Sequence, residues 1–157
     1  MVLVIGVAYF AVGNYFYNYA LSATDEKEFL DDNPNLAESE FIDAYREAKE
    51  KRLDEQFEMQ HPPTSLEIKS KDDLQLKLHS NVFEKEDSNK WALVIHGYTS
   101  RADYMTRWVR NFHDKGYNVL APDLRGHGDS EGDYIGMGWH DRLDTLQWID
   151  EIIAMDP

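Results

Sequence analysis

Five consecutive apolar residues, Trp91-Ala92-Leu93-Val94-Ile95, constrain the fold of this chain more than any other feature. A run too short for a globular helix and without polar alternation predicts a strand buried on both faces, as at the parallel centre of a sheet covered by helices. Residues 117–121 predict a second buried strand. Between the two, Tyr104, Trp108 and Phe112 recur at helical spacing, with a capping box from Ser100 to Asp103 and Gly116 as the stop. After a glycine-rich loop, Trp139, Leu143, Leu146, Ile149 and Ile153 trace one face of a last helix that Pro157 would end. Strand, helix, strand, helix is the order of a three-layer α/β sheet. Ahead of it, residues 66–70 and 74–82 alternate like a half-exposed antiparallel pair, with Lys71-Asp72-Asp73 as the turn.

The chain divides into residues 1–23, 24–63 and 64–157. The first 24 residues carry no charged side chain and are apolar from Val2 to Val12, then rich in Tyr and Phe around Asn14 and Asn18. About 20 mostly apolar residues span a bilayer as a helix, so residues 1–23 are expected to be a transmembrane or signal-anchor helix, with Tyr15, Phe16, Tyr17 and Tyr19 at the interface. A cleaved signal peptide, with Ala20-Leu21-Ser22 as a weak site, and a helix buried in the protein are the alternatives. Residues 25–60 hold 13 acids and 5 bases and read as a solvated helical arm, with Asn33 as N-cap, Pro34 at the first helical position, and Phe41, Tyr45, Ala48 and Phe57 as sparse apolar positions. His61-Pro62-Pro63 then forms a stiff boundary before a domain that starts near Thr64.

The formal charge of −14, with no run of Lys and Arg to offset it, repels phosphate backbones and argues against nucleic acid as a partner. The absence of cysteine excludes disulfides, thiolate metal sites and a cysteine nucleophile.

In open α/β sheets ligands gather at the carboxyl ends of parallel strands, so residues 96–100 and 122–138 are the loops where chemistry is expected. The first, His96-Gly97-Tyr98-Thr99-Ser100, gives Gly97 freedom for a sharp turn and runs into a helix start, where backbone N–H groups can stabilise a negative oxygen. An ordinary strand-to-helix turn is the alternative. The second loop contains Gly128-Asp129-Ser130-Glu131-Gly132, a formal match to G-x-S-x-G. That motif works where a strand turns abruptly into a helix at the Ser. Here the strand ends near Ala121, and Gly132, Gly136 and Gly138 oppose a helix directly afterwards, so Ser130 reads as a decoy. Asp133 and His140 are too close in sequence to look like triad partners brought together by separate strands.

Asp123, His127 and Asp129 lack the second His at i+3 to i+5 of common zinc sites, and no metal is expected. Gly126, Gly128 and Gly132 miss the G-x-G-x-x-G spacing by one residue, and no nucleotide or other cofactor is expected.

Taken together, residues 91–100 with VIHGYTS and residues 121–132 with APDLRGHGDSEG resemble the α/β-hydrolase superfamily, in its serine aminopeptidase-like and monoacylglycerol lipase-like branch. The similarity covers residues 64–157, and the hydrophobic leader and acidic arm look like those of membrane-anchored bacterial members. The resemblance implies the N-terminal half of an α/β-hydrolase sheet and a serine hydrolase acting on a small-molecule ester or amide. It places one oxyanion-hole donor at the His96-Gly97-Tyr98 turn, on the backbone N–H of Tyr98, and makes residues 123–132 a floor of the site. The serine elbow, acid and catalytic histidine, which follow in that order in this fold, have no counterpart here, so this chain is expected to be inactive alone. A non-catalytic binding module on the same fold is the alternative. By the same resemblance the protein is expected at the cell membrane through residues 1–23, with the hydrolase domain outside the cytoplasm. The strand at residues 91–95 should lie at an open edge, which recruits other chains.

Overall fold

The computed structural model describes residues 2–23 and 44–156. Helix α1 (Val2–Ala20) and helix α2 (Ala44–Gln60) precede strands β1 (Thr64–Lys69), β2 (Lys77–Phe83) and β3 (Trp91–Leu93). A short 3-10 turn (Ala102–Met105), helix α3 (Thr106–Asp114), strand β4 (Asn118–Pro122) and helix α4 (Asp141–Met155) follow. The sheet order is β1-β2-β4-β3. β1 and β2 form an antiparallel hairpin, β2 runs antiparallel to β4, and β3 runs parallel to β4.

The core lies on both faces of this sheet. On one face Phe83, Val94, Val119 and Ala121 pack with Ala102, Val109 and Phe57, which come from the 3-10 turn, α3 and α2. On the other, Leu78, Val82 and Leu120 pack with Trp148 of α4, and Trp91 and Leu93 join from the sheet edge. Both faces are covered, so every residue of β4 is buried. The three layers are those expected of the α/β class.

Several local expectations change. Trp91, Ala92 and Leu93 are half-buried and Ile95 is 41% exposed, because β3 pairs with β4 alone and sits at the sheet edge. The hairpin turn extends from Ser70 to Leu76. The Ser70 hydroxyl donates to Asp72 and accepts from the Leu76 N–H, which draws residues 74–76 out of the strand. The Ser100–Asp103 capping box does not form, since Asp103 instead accepts from Asn81 and pairs with Arg101. Gly116 does end the α3 segment, at φ 85°, with its N–H donating to the His113 carbonyl.

The last helix is turned over relative to its apolar pattern. Leu143, Leu146 and Ile153 are 49%, 58% and 59% exposed, whereas Asp141, Asp144, Gln147 and Trp148 are buried. The cause is electrostatic. Arg125, buried in the loop after β4, takes a bidentate pair with Asp144 at 2.7 Å for both bonds, and Gln147 donates to the Lys69 carbonyl of β1.

Helix α1 falls within residues 1–23, where a transmembrane helix is expected. Among the described residues no helix is long and apolar enough to cross a membrane. α1 has 19 residues, about 28 Å at 1.5 Å per residue, and Asn14, Asn18 and the surrounding tyrosines dilute the apolar character of its second half. The end of α1 is tied to the rest of the fold: the Ala23 N–H donates to the Asp133 carbonyl and the Ile135 N–H to the Leu21 carbonyl. Of the acidic arm, Asn33, Pro34 and Phe41 lie outside the described residues. Its end does not stand free in solvent, because Phe57 is buried against Phe83 and His113, and Arg110 of α3 pairs with Glu50 and Asp54.

Candidate active site

The loops that leave the carboxyl ends of the parallel strands β3 and β4 are joined by one side chain. Nε2 of His96 accepts the Leu124 N–H at 2.9 Å, and Nδ1 of His96 lies 2.8 Å from the Gly97 carbonyl. An imidazole that accepts at Nε2 must carry its proton at Nδ1, so the network assigns the neutral Nδ1–H tautomer. Burial lowers the His96 pKa, and that outweighs the Gly97 carbonyl, which acts to raise it. His96 is thus a buried tie between two loops, with both nitrogens engaged.

Beyond it, Gly97 has open space where a Cβ would lie and does not take the left-handed conformation; Thr99 does, at φ 56°. The sharp bend expected of Gly97 is therefore made two residues later, at a residue with a side chain, a conformation that costs energy and clusters at functional loops. The Tyr98 hydroxyl donates to the Ala20 carbonyl at 2.6 Å, which fastens the end of α1 to this turn. Burial raises the Tyr98 pKa.

The second loop is organised by Asp123. Its Oδ1 accepts the Ala102 N–H at 2.8 Å, and its Oδ2 accepts the Asp129 N–H and lies 3.0 Å from Nδ1 of His79. Burial acts to raise its pKa, but the N–H groups of Ala102 and Asp129 together with His79 prevail and hold the carboxyl below its ordinary value. Gly128, at φ 51°, crosses this carboxylate so closely that a Cβ would come within 2.1 Å of Oδ1. Ser130 is 9% exposed; its hydroxyl donates to the Asp123 carbonyl and accepts the His79 N–H. The hydroxyl proton goes to a carbonyl rather than to an imidazole, so Ser130 joins β2 to β4 and is not arranged as a nucleophile.

His79, Asp123 and the exposed Asp129 bring possible metal-ligand atoms within 4.8 Å of one another. Both Asp123 oxygens already accept hydrogen bonds, so a cation there would displace the contacts that shape the loop. His127, grouped with Asp123 and Asp129 in the sequence, stands apart from this set: its Nδ1 lies 3.1 Å from the Arg125 carbonyl and its ring 4.9 Å from that of His96.

A cavity of about 260 Å³ opens between the two loops and the start of α4. Its walls are His96, Gly97, Tyr98, Leu124 and His127 from the loops, with Ile135, Met137, Gly138 and Asp141. The three residues singled out in the sequence thus meet at one opening. His79, Asp141 and Asp144 were not singled out. For the last two a signal existed, since acids three apart on a helix share a face; for His79, one residue of an alternating strand, there was none.

Residues 87–150 match the model of the family described as Serine aminopeptidase, S33. No curated protein matches the chain. Among solved structures, an esterase from Pyrococcus furiosus is 32% identical with a TM-score of 0.49, over 60% of this chain and 37% of that one. A haloalkane dehalogenase from Paraglaciecola agarilytica is 22% identical with a TM-score of 0.49, over 59% of this chain and 32% of that one. Epoxide hydrolase A from Mycobacterium thermoresistibile is 22% identical with a TM-score of 0.47, over 57% and 28%. The match spans little more than a third of the esterase.

Proposed function

We propose that this chain, whose fold is the N-terminal portion of an α/β-hydrolase, supplies the anion-stabilising side of a serine ester or amide hydrolase. The nucleophilic serine, its acid and its histidine are assigned to sequence beyond residue 157, in the order this fold uses. In acyl transfer the carbonyl oxygen becomes an oxyanion, and a fixed N–H aimed at it lowers the barrier. The backbone N–H of Tyr98 takes that role, Gly97 leaves the approach open, and His96 positions the turn by holding it against Leu124. The substrate is a small-molecule ester or amide that enters the cavity between the loops.

The observation that carries this reading is the His96–Leu124 hydrogen bond, which draws the two loops together beside a cavity at the carboxyl ends of parallel strands. The family match over residues 87–150, which contains both loops, supports it. The chemistry needs no cofactor.

Fluorophosphonate labelling of the full-length protein, followed by peptide mapping, tests the reading. A single serine adduct C-terminal to residue 157, with none at Ser130, is expected. An adduct at Ser130 would make this portion a hydrolase by itself. The absence of any adduct would favour a binding module on the same fold.

A further inference from the structure

The end of α2 rests on a cluster of rings. Phe57 is 5% exposed, with its ring centroid 5.0 Å from His61, 5.7 Å from Phe83 and 5.2 Å from His113, and the His61 and His113 rings lie 4.4 Å apart. From this arrangement we propose that His113 is an acid-sensitive latch: as a neutral imidazole it holds the Phe57–His61 end of α2 against α3, and on protonation it lets that end go.

The hydrogen bonding of His113 admits one neutral form. The residue is 1% exposed, and its Nε2 lies 3.1 Å from the Glu84 carbonyl. A carbonyl only accepts, so Nε2 carries the proton and Nδ1 is bare. Nδ1 is buried and has no hydrogen-bond partner among the described residues. Protonation adds an N–H there with no acceptor, together with a full charge in a buried site, and both are costly while α2 stays in place. Burial, the largest effect, lowers the His113 pKa; Lys85 and His61 act in the same direction, and the Glu84 carbonyl and Asp114 oppose it without prevailing. The other charged groups at this contact are engaged elsewhere, Arg110 with Glu50 and Asp54, and Glu58 with the Thr106 hydroxyl.

The upstream part of α2 answers acid differently. The hydrogen bond from Arg110, against the opposing effect of burial, holds the Glu50 carboxyl below its ordinary value. That pair stays charged at a pH that protonates an imidazole. Mild acid therefore frees the His61 end and leaves the Glu50 end tethered. A helix of 17 residues is marginal in water without tertiary packing, so the freed turn frays. Once α2 has lifted, His113 takes up a proton at its ordinary pKa. Docking is thus complete above about pH 6.5 and weakens about tenfold per pH unit below it, until the docked pKa is reached.

The test is amide hydrogen exchange on the full-length protein between pH 7.5 and pH 5.5, corrected for the intrinsic exchange rate. The amides of Phe57–Gln60 report the latch, and those of Val119–Ala121 in β4 report opening of the whole domain. Protection of the α2 amides should be constant above about pH 7, fall about tenfold from pH 6.5 to 5.5, and fall earlier than that of β4. His113→Phe, which keeps a ring in the cluster, should flatten that dependence. A flat profile in the parent, a fall shared equally by β4, or a parental slope in His113→Phe overturns the proposal. Where the variant does not fold, NMR titration of His113 in the parent decides: Nδ1 should take up its proton only as the α2 amides lose protection. A protonated His113 beneath a fully protected α2 overturns the latch.

Discussion

Arg125 carries the largest electrostatic commitment in the fold. It is 1% exposed and bonded to Asp144 through two nitrogens and to Asp72 through a third, all at 2.7 Å. The Asp144 bonds, ahead of the opposing effect of burial, raise its pKa far above the ordinary arginine value. Truncating one partner of a buried pair strands the other charge, so Arg125→Ala should cost about 3–5 kcal/mol in urea unfolding; a loss below about 1 kcal/mol would mean that the pair is solvated. His96 gives a pH signature of the loop tie. Its neutral form accepts from Leu124, and burial lowers its pKa, as it does that of His113. Below about pH 6.5 the unfolded chain takes up protons that the folded chain refuses. Stability should therefore be complete above about pH 6.5 and decline as pH falls toward the folded pKa values. Unfolding midpoints measured against pH, with His96 titrated by NMR, check both the direction and the Nδ1–H tautomer. His96, Gly97 and Tyr98 were legible because the strand before them is read from its apolar run. Asp144 was not, because its partner Arg125 lies 19 residues away and their meeting is tertiary.

At the scale of elements, type and order were more legible than orientation. The hairpin, the buried β4 and the α3 stop follow from alternation, an apolar run and Gly116, all local signals. The face presented by α4 does not: its apolar stripe predicts burial, yet Asp144 and Gln147 face the sheet because Arg125 and the Lys69 carbonyl wait there. The acidic arm misled in the opposite sense. Its charge suggests a solvated helix, but two of its acids are partners of Arg110, and Phe57 is 5% exposed among Phe83, His61 and His113. Phe57→Ala should thus lower unfolding stability by about 3–5 kcal/mol, the cost of a core aromatic truncation. A free arm would lose almost nothing, and urea melts of the variant separate the two.

Across the whole molecule, the carboxyl ends of β3 and β4 carry the candidate site while the apolar residues of α4 and the outer edge of β3 are left exposed. Such edges and faces call for further packing. A site built from two loops at one end of a sheet is open to partners on that same side, as the proposed hydrolase requires of its nucleophile. The α/β class was readable at this scale because strand, helix, strand, helix alternates with short loops. The end of α1 against Tyr98 was not, since it rests on a hydroxyl meeting a carbonyl 78 residues away.

If the backbone N–H of Tyr98 stabilises an oxyanion, replacing Tyr98 by proline removes that donor together with the hydroxyl that bonds Ala20, whereas Tyr98→Phe removes the hydroxyl alone. Short-chain ester hydrolysis by the full-length protein should fall about 100- to 1000-fold in kcat for Tyr98→Pro and stay within about threefold for Tyr98→Phe, which keeps the N–H. A Tyr98→Pro protein that melts like the parent and hydrolyses the ester at the parent rate would contradict the account.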